Sequence, residues 1–182
     1  MRVATETPIT QDVNPTSFTA VASTTTETNL WVPAIWTPIP ANDAVPGANY
    51  KVAAGGVFGT KANPVGTFTL RPRWGQSGTA SSNTLLGASG AFTFAVSLSA
   101  LAWYAEFTFA IRTVGATGTG TGNGCGLFRN GTSATATCLN IGGTVATIDT
   151  TVAQGLVLTA QWATSNASNT ITCQWVEMVA YS

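Results

Sequence analysis

The chain has 182 residues, no histidine, and only 14 formally charged side chains, seven basic and seven acidic, for a net charge of zero. An ordinary soluble domain carries about 25% charged residues, and this one carries 8%. The shortage excludes histidine-based catalysis, and without a basic block there is no counterion-releasing footprint for nucleic acid. At 45% hydrophobic residues, with six Trp, the chain can build a substantial core.

Residues 1–28 are polar, Thr-rich and aperiodic, and read as an extended N-terminal arm that only a partner orders. The segment 29–40 follows, with Trp31, Ile35 and Trp36 among Pro33, Pro38 and Pro40. The prolines argue against a helix or a central strand, so an apolar strip lying in a groove or on a sheet edge is expected. From residue 50 onward, strands alternate with turns. Strands are expected at 50–58, broken by Gly55-Gly56 as a bulge, at 66–74, at 91–98 and at 103–114. The stretch 91–111 has the length of a membrane span, but its apolar residues recur with period 2 and read as strands. Gly115 to Gly126 is read as a loop; it lacks both phosphate-loop patterns. Further strands are expected at 134–139, 144–148, 156–162 and 170–181, where the last run switches phase as at a bulge.

No segment carries a helical apolar stripe. Short strands and turns of this number define an all-β fold, a jelly-roll-like antiparallel β-sandwich over 29–182. Cys125 and Cys138 can pair across adjacent strands, but an odd cysteine count favours all three, with Cys173, as apolar fillers in a reducing cytoplasm. No metal or cofactor is expected. A Ser–Lys dyad on Lys51 or Lys61 and a carboxylate pair among Asp43, Glu106, Asp149 and Glu177 are formal routes to catalysis, but nothing in their spacing favours them. Glu106 shares a strand face with Tyr104, Thr108 and Arg112, which reads as a surface or interface ladder.

Three stretches carry a family likeness: Tyr50–Thr60 with Phe68–Gly75, Leu101–Gly115, and Leu156–Trp162 with Asn169–Gln174. Together they resemble the jelly-roll modules of tailed-bacteriophage virion proteins, particularly small structural proteins of phages infecting actinobacteria. The resemblance implies a trimer like that of tumour-necrosis-factor modules, serving as a head decoration, a head fibre or a tail fibre tip. It brings no catalytic residues. A short arm before one module leaves no room for a fibre shaft, so the expectation is a homotrimeric decoration protein cementing the major capsid protein lattice. It would be made in the host cytoplasm and sit on the outer capsid surface, with no membrane or nucleic-acid partner. Trp31, Ile35, Trp36, Tyr104, Glu106 and Arg112 are the candidate interface residues. The alternative is a tail or head fibre tip that recognises a host-surface glycan.

Overall fold

The computed structural model describes residues 6–12, 18–62, 65–131 and 136–181. Its strands run in chain order as β1 (Glu6–Asp12), β2 (Val21–Ala22), β3 (Thr28–Asn29), β4 (Pro38–Ile39), β5 (Asn49–Gly59), β6 (Phe68–Trp74), β7 (Thr84–Leu85), β8 (Gly87–Ser89), β9 (Leu101–Thr113), β10 (Gly118–Arg129), β11 (Ala136–Gly143), β12 (Ala146–Ile148), β13 (Gln154–Trp162) and β14 (Thr170–Tyr181). A single helical turn, α1 (Pro33–Trp36), lies between β3 and β4.

Two antiparallel sheets form the sandwich. The large one is ordered β1-β14-β5-β9-β10-β11-β8, with β2 also on β14 and β12 on β10. The small one is ordered β3-β13-β6-β7, with β4 also on β13. The pairing is nested: β1 with β14, β3 with β13, β5 with β9, β6 with β7. Inside those pairs the large sheet continues as a meander, since β9 also pairs with β10 and β10 with β11. The all-β sandwich expected from the strand pattern is therefore the fold.

Alternation decides which residues enter the core. On β9, Trp103, Ala105, Phe107, Phe109 and Ile111 are buried, and Tyr104, Glu106 and Thr108 between them are half-buried on the outer face. Facing them from the small sheet are Phe68, Leu70, Trp74, Leu156, Leu158, Ala160 and Trp162, all buried. Phe68, Phe94, Phe128 and Trp162 make one aromatic cluster, with ring centroids 4.8 to 6.1 Å apart. Burial of each such ring is worth about 4–6 kcal/mol at most, at about 25 cal/mol/Å² over about 150–250 Å².

Several expectations need correction. The arm does not wait for a partner where it is described: β1 and β2 pair with β14, and β3 pairs with β13, so a boundary at residue 28 falls inside a ladder. Phe18 and Val21 belong to the core. The proline-rich strip contains the helical turn α1, because Pro33 occupies a first-turn position, where its missing N–H is not needed. Residues 91–98 form no strand; Phe92 makes one bridge to Phe68, and Phe94 plugs the core from a loop. The Gly/Thr run is largely strand, since β10 spans Gly118–Arg129. Gly120, Gly122 and Gly124 face the β9 rings. A Cβ at Gly120 would stand 2.2 Å from Phe109 Cζ, and one at Gly122 would stand 2.7 Å from Phe107 Cζ. The glycines are there because those rings take the space over β10.

The two bulge signals converge on one irregularity. The register of β14 shifts between Cys173 and Trp175, opposite Gly56 and Gly55 of β5. A Cβ at Gly56 would stand 2.0 Å from the Thr172 carbonyl oxygen, so the shifted strand fits only against glycine.

Candidate interaction surfaces

Five of the 14 charged side chains, Glu27, Lys51, Arg71, Arg73 and Glu106, form two ion-paired networks on the outer faces of the sheets. Glu27 lies on the outer face of the small sheet, where it accepts hydrogen bonds from Arg73 Nε at 2.6 Å and Nη2 at 2.8 Å and from the Thr159 hydroxyl. Arg71 Nη1 is 3.6 Å away and donates to Gln161 Oε1 at 2.9 Å. Burial alone would push the Glu27 carboxyl up. The hydrogen bonds from Arg73 and Thr159 and the charges of Arg73 and Arg71 outweigh it and hold the group below its usual range. This cluster ties the segment around β3 across β13, and it covers Thr159, which is buried although it points away from the core.

The second network stands on the outer face of the large sheet. Register places Glu177, Ala53, Glu106 and Cys125 in one row across β14, β5, β9 and β10, and Trp175, Gly55, Tyr104 and Leu127 in the next. Lys51 Nζ is 2.8 Å from Glu106 Oε2, and the Tyr104 hydroxyl donates to the same oxygen at 2.7 Å. The Lys51 hydrogen bond holds the Glu106 carboxyl low against partial burial, and the same contact raises Lys51. Burial and the Glu106 carboxylate push Tyr104 up to about 12. Glu106 is thus ladder-bound as expected, but its partner is Lys51 of β5 and not Arg112, which is exposed. Two of the four acids weighed for catalysis, Glu106 and Glu177, flank Ala53 on this face. A glycosidase general acid needs a raised carboxyl, and Glu106 is held ionised.

The remaining candidate residues scatter. Trp31 is buried in its own chain and donates from Nε1 to the Leu156 carbonyl at 3.0 Å, so it is unavailable to a partner. Trp36 is half-buried and packs on Phe18, ring centroids 5.2 Å apart. Ile35 is 62% exposed. It belongs to an apolar end of the sandwich that single-residue reading missed. Exposed Val45, Val114 and Val152 stand on neighbouring loops, tied by the backbone bonds Asn42 N–H to Thr150 O (2.9 Å) and Thr150 N–H to Gly115 O (3.1 Å). Val32 and Ile35 adjoin them through Pro33, which packs against Gly155. The opposite end shows Lys61 in a hollow of about 440 Å³ with Ser97, Ser99 and Ser168. The Ser97 N–H donates to the Lys61 carbonyl at 2.9 Å, but no hydrogen bond joins the Lys61 ammonium to a serine hydroxyl among the described residues.

Cys125 and Cys138 sit on the solvent side of β10 and β11 and form a disulfide, with Cα atoms 6.1 Å apart. They are not core fillers; that reading holds only for Cys173, whose thiol burial pushes up to about 12. No group of three or more metal-ligating side chains occurs among the described residues. No helix among them is long and apolar enough to cross a membrane. Comparison with known protein families, curated proteins and solved structures finds no match for this chain.

Proposed function

We propose that the chain is a structural protein of a tailed-phage virion, a homotrimeric decoration protein that binds the assembled head. The observation that carries this reading is the apolar end. Val32, Ile35, Val45, Val114 and Val152 are exposed on the same end of the sandwich, on a molecule with only 8% charged residues. Exposed apolar residues grouped at one end mark a surface to be covered, and here it would meet neighbouring copies and the capsid lattice. A protein that binds the assembled shell and not its free subunits stabilises the shell by mass action, in proportion to RT ln(1 + [L]/Kd). The antiparallel β-sandwich supports the reading, because it is the class of architecture that the phage likeness implies. The likeness itself rests on the sequence stretches quoted above.

A cryo-EM map of the virion tests the proposal. The expected result is trimeric density on the head surface. Density confined to the tail tip overturns it in favour of a fibre-tip module.

A further inference from the structure

The outer face of the large sheet holds a second feature, independent of the apolar end. Trp175 emerges at the β14 bulge, and its indole extends over β5, where Gly55 makes room for it. A Cβ at Gly55 would stand 2.6 Å from the indole nitrogen. The ring centre lies 6.0 Å from that of Tyr104, with the planes 35° apart. The two rings make an aromatic shelf across three strands. Beside it is a hollow of about 430 Å³, bounded by Lys51, Tyr104, Trp175, Glu177 and Tyr181, with Ala53 as its floor. That is the size of a small-molecule site.

We propose that this hollow binds a saccharide. A neutral pyranose ring rests its C–H face on Trp175 and Tyr104, and its hydroxyls are taken by Lys51 and Glu177 in the hollow and by Glu106 beside it, where the neighbouring hollow begins. A pyranose has one apolar face and a rim of hydroxyls that both donate and accept. The shelf meets the first. Lys51 has ammonium protons beyond the one directed at Glu106, and Glu106 Oε1 lies outside the Lys51 and Tyr104 contacts, so donor and acceptor stand side by side for the second. Lys51 offsets only one of the two carboxylates, Glu106 and Glu177, so the site has no positive excess to hold an anionic sugar and a neutral one fits. The face continues over β9 and β10 in a hollow of about 300 Å³ that includes Thr108, Asn123 and Leu127, which gives room for a further sugar unit. The competing occupant is a second copy of the chain. It would desolvate the Lys51–Glu106 pair and Glu177 together, whereas charged residues are depleted at the core of protein interfaces. A hydroxylated ligand leaves those groups hydrogen-bonded.

The test is saturation-transfer NMR on the full chain with methyl β-glucoside, methyl β-galactoside and N-acetylglucosamine, followed by titration of the responding sugar. Saturable binding to at least one is expected. W175A should weaken it about tenfold or more, the scale of a hot-spot truncation. K51M should weaken it while leaving the shelf in place, and W36A, remote from the face, should not change it. Each variant is first matched to the parent by its thermal midpoint. Binding to none of the three sugars, or binding indifferent to W175A and K51M, overturns the proposal. Light scattering in which W175A or E106R converts an oligomer to monomers also overturns it. That result would assign the face to self-association and leave the virion reading standing.

Discussion

Glu27 is the side chain on which the β3 segment most depends, because one carboxylate binds Arg73 twice and Thr159 once across two strands. Removing one partner of a buried pair leaves the other charge unsatisfied, so E27Q should cost about 3 kcal/mol in urea denaturation. The pH dependence has a definite sign. The folded carboxyl is held below its usual 4.5, so its contribution is full above that value and is lost as pH falls through the folded pKa. Glu106 and Asp149 are held low as well, so acid destabilisation should persist in E27Q with a shallower slope below about pH 4.5. Equal slopes in parent and variant would remove Glu27 from this role. None of this was legible in the sequence. Glu27 lies in a polar, Thr-rich run, and its partners are 44 or more positions away.

The β9–β10 hairpin shows how far pattern alone reaches. The period-2 run on β9 announced its strand and its buried face. The glycines of β10 had no such signal, because glycine has no side chain to alternate, and composition pointed to a loop. Only the opposing Phe107 and Phe109 rings explain them. The consequence is a paired prediction. Gly122→Ala should cost about 2 kcal/mol or more, since its Cβ would stand 2.2 Å from the Thr108 carbonyl oxygen, a backbone atom that cannot move aside. Gly142→Ala, with nothing within 4 Å, should stay within about 0.5 kcal/mol of the parent. Thermal unfolding of both variants checks the contrast. The neighbouring strand carries a further prediction. The Cys125–Cys138 disulfide closes a loop with a sequence separation of 13, and constraint of the unfolded chain on that scale is worth about 3 kcal/mol. The C125S/C138S double variant should melt lower by a matching amount. Thiol titration of the native parent should find no reactive cysteine, and one after denaturation, from Cys173.

At the scale of the molecule, the nested strand pairing brings residues 6–12 and 170–181 together as neighbours and puts the chain's two ends in one sheet. Truncating residues 1–28 therefore removes β1, β2, the Phe18 and Val21 core contacts and the Glu27 cluster, and should unfold the domain and not merely detach an arm. Circular dichroism of the truncated chain checks this, and a native melting curve would show the segment to be dispensable. For assembly, size exclusion with light scattering should give a trimer, and I35D/V152D should shift it toward monomer. The parent trimer should change little between low and moderate salt, because the proposed contact is apolar.

The sequence by itself determined the all-β class, most strand positions and the residues that face the core, because side-chain alternation is a property of each strand alone. It also marked the bulge twice, in Gly55-Gly56 and in the phase switch after Trp175, without showing that these were one feature. Only the tertiary structure decided what the exposed and polar residues do. It turned a glycine run into a strand, made Trp31 core, matched Lys51 to Glu106, joined two cysteines, and gathered isolated valines into one apolar end. Each of these depends on residues far apart in the chain meeting across strands or loops, and a one-dimensional pattern carries no record of which strand lies beside which.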